Sequence, residues 1–217
     1  MTEEELKLVA SQLRKPDGEI GIQVAERMNS GNKVLNELVI EEMTLKPGFK
    51  VVEIGMANGF FVPKIFQKEN KVEYTGFDFS ETMVRHATEL NKNLVEKGSV
   101  HFVQSHAANL PFNDNEVDIL FTLNTIYFYD DPKVELQEYF RILKPGGHLF
   151  IGIRPKSLMQ YYPMTKFGFK MYEPDDVIEL LKTCGFNNSY FKIKEEEPQM
   201  LDEVKLEVSS VLITAVK

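Results

Sequence analysis

The sequence predicts an α/β fold, a mostly parallel sheet with helices on both faces. Three observations carry this. Short apolar runs rich in Val, Ile and Phe alternate with amphipathic stretches from Lys50 to Thr183. Glycine-bearing turns punctuate the joins between them. The first apolar run, Val51-Val-Glu-Ile54, passes directly into a turn of small residues, Gly55-Met-Ala-Asn-Gly59. Alternation of this kind builds layered sheets with helical crossovers, and continuous apolar runs are the mark of parallel strands buried on both sides.

Taken in order, Thr2 and Glu5 have the spacing of a capping box, and Leu6, Val9 and Leu13 share one helical face. Arg14-Lys-Pro-Asp-Gly18 breaks that helix. A second is expected around Ile22 to Met28, ending at Asn29-Ser-Gly-Asn32, and a third from Val34 to Met43, stopped by Lys46-Pro-Gly48. The core then reads as strand 50–55, helix 60–68, strand 72–78, helix 81–97, and strands 100–104 and 117–123. It continues with helix 132–143, strand 147–153, helix 174–183, and two last strands near 189–194 and 206–216. Asp131-Pro132 is a helix start, an acidic cap before a proline at the first helical position. The run Glu195-Glu-Glu197 reads as a solvated hairpin turn.

Composition sets outer bounds. With 217 residues, 43% of them apolar, the chain suffices for one substantial core, so a single domain is expected. A formal net charge of -8 without a long basic run argues against a nucleic-acid substrate. No apolar run approaches membrane-spanning length, and the acidic start Thr2-Glu-Glu-Glu5 is unlike a signal peptide. The single Cys184 fits a reducing cytoplasm. The four histidines, His86, His101, His106 and His148, fall on separate elements without metal-ligand spacing, so no metal site is expected.

The chemistry is expected at the carboxyl ends of the strands. Glu53 closes the first apolar run, and Asp78 closes the next one 25 residues later. Acids so placed can accept hydrogen bonds from the paired hydroxyls of a ribose. A dinucleotide fingerprint G-x-G-x-x-G starting at Gly55 would need its other glycines at Ala57 and Phe60, and Phe60 would crowd the helix packing that the third glycine permits. The fitting pattern, acid-x-Gly-x-small-x-Gly, resembles that of the class I S-adenosylmethionine-dependent methyltransferases. Gly76-Phe-Asp-Phe-Ser-Glu-Thr-Met83 resembles the family's ribose segment and Phe102-Val-Gln-Ser-His-Ala-Ala-Asn-Leu-Pro-Phe112 its adenine segment. Leu143-Lys-Pro-Gly-Gly147 matches the turn before its fifth strand. The likeness runs from about Leu45 to the C-terminus and is greatest toward the small-molecule enzymes typified by the quinone-biosynthesis C-methyltransferases.

That resemblance implies a doubly wound, Rossmann-like sheet of seven strands with the terminal strand antiparallel. It also implies S-adenosylmethionine as cofactor and a small-molecule methyl acceptor. The cofactor would be held by Glu53, Gly55, Ala57, Gly59, Asp78, Phe79, Met83, Ser105, His106, Ala107, Thr122 and Asn124. Asn124 and Tyr127 are the catalytic candidates, Tyr127 to orient a nucleophile or act as base, although packing at a helix start explains it equally well. Two positions depart from the family. Ala57 replaces the middle glycine of the loop, adding a methyl group that disfavours positive φ. His106 replaces an acid that accepts from the adenine amino group. These departures keep open an alternative, a non-catalytic protein that binds S-adenosylmethionine as a sensor or partner subunit; a nicotinamide-dependent oxidoreductase is the weaker one. The expected division is a helical cover over 1–44, a cofactor core over 45–153, a substrate cover over 154–172 and a C-terminal helix and hairpin over 173–217. The five aromatic rings of 154–172 would suit a flat or cationic acceptor. Two Tyr-x-x-x-Lys spacings, at Tyr162 and Tyr190, are set aside, because Pro163 interrupts the first and the second lies in an expected strand.

Overall fold

The computed structural model describes residues 1–201 and 203–217. Three helices come first, α1 (Glu3–Arg14), α2 (Gly18–Gly31) and α3 (Lys33–Glu42). The alternating core follows as β1 (Lys50–Ile54), α4 (Val62–Lys68), β2 (Glu73–Asp78), α5 (Glu81–Leu90), α6 (Lys92–Glu96), β3 (Val100–Gln104) and β4 (Val117–Leu123). Then come α7 (Pro132–Ile142), β5 (Leu143–Ile153), the short α8 (Lys156–Met159), α9 (Pro174–Thr183) and β6 (Asn188–Glu195). The chain closes with β7 (Gln199–Leu201), β8 (Val204–Leu206) and β9 (Ser209–Val216).

Seven strands form one sheet in the order β3-β2-β1-β4-β5-β9-β6. Strands β1 to β5 pair in parallel, and β9 enters antiparallel between β5 and β6. The fold is therefore the doubly wound, mostly parallel sheet that the alternation and the family likeness predict. Each buried strand feeds two cores, since successive side chains leave opposite faces. Val52 and Ile54 pack with Leu136 and Tyr139 of α7 and with Leu181 of α9. Val51 packs on the other face with Leu35 and Val39 of α3 and Ile65 of α4. The order reverses between β1 and β4, and there the strand ends diverge and leave room for a ligand.

Local chemistry accounts for most boundaries. Thr2 and Glu5 form the expected capping box on α1. Asp131 caps α7 through its side chain, with Pro132 at the first position. The single helix expected over 81–97 is instead divided at Asn91. That side chain turns inward, its amide donating to Gly59 O at 3.1 Å and Ala87 O at 3.0 Å, so it ties the helix to the loop after β1. The expected solvated turn at Glu195-Glu-Glu197 is also revised. A second hairpin, β7 with β8, occupies the span before β9, and Glu196 is drawn inward onto Arg154. Among the described residues no helix is long and apolar enough to cross a membrane.

Candidate active site

The register of β1 and β2 sets Glu53 opposite Gly76 and Ile54 opposite Phe77, so Asp78 lies one step beyond the end of β1. Two carboxylates are thereby brought to neighbouring strand ends. Both are shielded, Glu53 9% and Asp78 6% exposed. Glu53 accepts a 2.5 Å hydrogen bond from the Tyr74 hydroxyl. Gly76 makes this contact fit, because a Cβ there would fall 3.0 Å from that hydroxyl oxygen and 2.9 Å from Met56 Cγ. Burial raises the Glu53 pKa to about 7, the Tyr74 bond opposing and the Asp78 charge adding to the rise. Burial likewise lifts Asp78 to about 6, against the backbone donors that favour its charged form.

Between the two acids the loop after β1 turns on alternate left-handed residues. Gly55, Ala57 and Gly59 have φ of 73°, 49° and 63°. Ala57 thus adopts the conformation its methyl group was expected to disfavour. It is held there by its own amide, which donates to Asp78 Oδ2 at 3.1 Å. At Gly55 a side chain would collide with Thr125 Cγ2, 2.4 Å from the position of a Cβ. Asp78 Oδ1 accepts from Ser80 N at 2.9 Å. Each Asp78 oxygen therefore has one backbone donor and retains acceptor capacity for another.

The remaining residues expected around the adenosine cluster at the ends of β2 and β3. Ser105 N donates to Asp78 O at 3.1 Å, fixing the loop that carries Ser105, His106 and Ala107 beside the acid. The exposed His106 ring lies 5.9 Å from that of Phe79 at 37°. Met83 is fully buried on α5, where its amide donates to the capping Ser80 hydroxyl at 3.2 Å.

The segment after β4 differs from expectation. Thr122 donates to Ile54 O at 2.9 Å and also bonds Thr125, whose hydroxyl continues to Tyr129 at 3.0 Å and from there to Tyr139 at 2.6 Å. Asn124, at φ 56°, donates from Nδ2 to Asn32 Oδ1 at 3.0 Å and accepts on Oδ1 from the Tyr127 hydroxyl at 3.1 Å. Tyr127 is 2% exposed; its hydroxyl also accepts from Arg154 N and meets Arg154 O at 3.1 Å. Burial pushes its pKa far above the ordinary tyrosine value, with Arg154 opposing. All of its hydroxyl's bonds run to protein groups and burial disfavours its ionisation, which weighs against the base role expected for Tyr127. Asn124 likewise has both ends of its carboxamide engaged within the protein.

Several participants escaped the sequence reading. Asn32 and Asn36, at the start of α3, line a narrow cleft against the loop 55–59 together with Met28, Phe61 and Leu123. The rings of 154–172 do not line it. Phe169 packs on Phe128 at 4.7 Å and on Tyr127 at 6.2 Å and so fastens the segment to the core, while Tyr161 is exposed and Phe167 lies beneath Lys7 of α1. Arg154 was unremarked as well. It pairs with Glu196, with 15% and 12% of the side chains exposed, and donates to Gly31 O at 2.8 Å. Glu196 also accepts from Ser210 at 2.6 Å. Tyr74 carried a signal in principle, being on the same strand face as Gly76 across from Glu53.

A family model described as a methyltransferase domain matches residues 52–151. An uncharacterised protein, MJ1123 of Methanocaldococcus jannaschii, is 30% identical over 72% of this chain and 74% of its own. Demethylmenaquinone methyltransferase of Staphylococcus carnosus is 30% identical over 65% of this chain and 56% of its own. The chain belongs to the class I S-adenosylmethionine-dependent methyltransferases. Among solved structures, an S-adenosylmethionine-dependent methyltransferase of Thermotoga maritima, described as a "possible histamine N-methyltransferase", superposes with a TM-score of 0.67. It is 27% identical and the match covers 90% of this methyltransferase and 95% of that chain. The cofactor is S-adenosylmethionine, and this methyltransferase has a cradle suited to it. Asp78 keeps acceptor capacity of the kind that ribose hydroxyls need, while the space beside Gly55 is taken by Thr125 and that beside Gly59 by Asn91 and Phe102, which lets the loop lie close against the protein.

Proposed function

We propose that this methyltransferase acts on a small-molecule acceptor, with an amine as the favoured class. The observation that carries the reading is the pair of shielded acids at the ends of β1 and β2, with a left-handed loop between them at the point where strand order reverses. Asp78 would receive the ribose hydroxyls. Gly55, Ala57 and Gly59 would lie along the methionine portion, and Phe79, Ser105, His106 and Ala107 would border the adenine. Glu53 would act from behind the loop, through its bond to Tyr74. Residues 1–44 would cover this site, 45–153 would form its floor, and 154–172 with 173–217 would brace the cover.

The cofactor supplies a methyl group on a sulfonium, already strongly electrophilic. The protein need only align an acceptor in line with it and exclude water. The cleft offers neutral carboxamides from Asn32 and Asn36 and the apolar surfaces of Met28, Phe61 and Leu123. Carboxamide oxygens can orient N–H bonds without imposing a charge. The description of the Thermotoga maritima relative points the same way, and the Staphylococcus carnosus relative makes quinols the acceptor to test against. The acidic net charge and the lone Cys184 suit a cytoplasmic enzyme working on small molecules.

A turnover panel of primary amines, phenols and quinols, read by release of S-adenosylhomocysteine, tests this. Methylation of amines above the other classes is expected, and Asn36→Leu should raise KM for the amine more than it lowers cofactor affinity. Turnover confined to quinols would overturn the acceptor assignment. Binding of S-adenosylmethionine without turnover of any class would favour the non-catalytic alternative.

A further inference from the structure

Among the ties between residues 1–44 and the rest of the chain, two differ in kind. At the far end of this segment, Gly31 O and Asn32 are held by Arg154 and Asn124, within a shielded ion-pair network that includes Glu196 and Ser210. At its near end, the linker between α1 and α2 is bolted to the start of α5, immediately after Asp78 and Phe79. The Ser80 hydroxyl donates to Pro16 O. The Thr82 hydroxyl donates to Asp17 Oδ1 at 2.7 Å and accepts from Gly18 N at 3.3 Å. Lys15 Nζ sits over the Phe79 ring, 5.5 Å from its centroid. Lys15, Asp17 and Gly18 are exposed, so water competes for the contacts that Lys15 and Thr82 make, whereas Pro16 and Ser80 are buried and their bond is the pivot on which these residues turn.

We propose that residues 15–18 are the movable wall of the adenosine pocket, with Lys15 and Thr82 as positioning residues that hold it shut, so that cofactor enters and leaves at this end while the Gly31 end stays fixed. The inference rests on the reading that Asp78 and Phe79 face the adenosine. Lys15 has a second action there. The charged side chains acting on Asp78 are Lys15, which favours its ionised form, and Glu53, with which it is mutually repelled; the amides of Ala57, Phe79 and Ser80 complete its surroundings. A wall that carries a cation thus favours the carboxylate that accepts from the ribose.

Stopped-flow measurement of S-adenosylhomocysteine association and release tests this in wild type, Lys15→Met, Asp17→Asn and Thr82→Val. Release should quicken by about fivefold to tenfold in Thr82→Val, the size expected for losing ordinary neutral hydrogen bonds, and association should quicken with it. Lys15→Met should also quicken release and move the pH midpoint of affinity upward, a shift that a purely structural lysine would not produce. Amide exchange should rise over 15–20 and stay unchanged over 28–32. Lys15 and Asp17 are exposed, so their variants keep the test decisive should Thr82→Val fold poorly. Wild-type release rates and an unmoved midpoint in Lys15→Met and Asp17→Asn would overturn the proposal. Absence of S-adenosylhomocysteine binding to the wild-type protein would instead overturn the reading beneath it.

Discussion

The cradle after β1 and β2 and the turn after β4 are both polar segments at the carboxyl end of the same sheet, and they are built to opposite ends. In the cradle, Asp78 meets one backbone donor on each oxygen and keeps capacity in reserve. In the turn, Thr122, Asn124, Thr125, Tyr127 and Tyr129 satisfy one another, the neighbouring backbone and the cover. A polar residue at a strand end is therefore a binding group or a fastener according to whether the fold has already used its lone pairs and protons. Position alone does not decide.

Arg154 holds the turn after β4 and the cover together. Replacing it with methionine leaves Glu196, among the described residues, with Ser210 as its remaining side-chain partner, and frees Gly31 O. Removing one member of a fully buried ion pair costs about 3–5 kcal/mol and of an exposed one about 0–1 kcal/mol, so this partly exposed pair falls between, at about 2 kcal/mol. Arg154→Met should lower denaturation free energy by that order, and denaturant titration measures it. A change within experimental error would show that the far fastening is solvated after all.

On the cradle side the largest effect belongs to Asp78→Ala. Loss of two charge-assisted hydrogen bonds should weaken S-adenosylhomocysteine binding by about 3 kcal/mol, roughly a hundredfold. In the wild type, affinity should fall as pH drops below about 6, where Asp78 gains a proton and ceases to accept from both hydroxyls. Calorimetry across pH 5 to 8 reads both effects, and unchanged affinity in the variant would remove Asp78 from the ribose.

The burial of Glu53 has a consequence for stability that Glu53→Gln reads out. The folded pKa of about 7 stands above the unfolded value of 4.5, so the ligand-free folded state binds more protons than the unfolded one between them. Stability must then fall as pH rises through this window and level off above it. Glutamine removes the penalty, so the variant should be more stable by on the order of 2 kcal/mol at pH 8 and no different near pH 4.5. Equal stability of the two proteins at pH 8 would mean that Glu53 is better solvated than its position implies.

The sheet was legible because its signal is repeated. Val51, Val52 and Ile54, then Val72 and Phe77, are apolar on both faces, a pattern that only buried parallel strands require. The loop was legible because Gly55 and Gly59 sit between two acids. The Tyr74–Glu53 bond was not, since it depends on the space left by Gly76, which emerges only once β1 and β2 are in register. Arg154 and Glu196 lie 42 residues apart, and no local pattern announces a pairing made by the return of the β6–β9 hairpin. Asn91 fits a helix pattern well, and only the approach of Gly59 O gives its carboxamide a reason to turn inward. The bonds of Tyr127 were hidden for the same cause, since Asn124 and Arg154 meet its hydroxyl only in the folded chain.

The smallest expected effect is the most direct test of that last point. Tyr127→Phe removes a hydroxyl that Arg154 N donates to and that lies within bonding distance of Asn124 Oδ1 and Arg154 O. Leaving such groups without a partner should cost about 1–2 kcal/mol of stability. The acceptor should still be methylated, and any fall in kcat should be the same at every pH, because a phenol that keeps its proton contributes no ionisation to the rate. A general base would behave differently, and its removal would abolish one limb of the pH–rate profile. If Tyr127→Phe erases an ionisation seen in the wild type, the hydroxyl moves a proton during catalysis, and the turn after β4 belongs with the cradle.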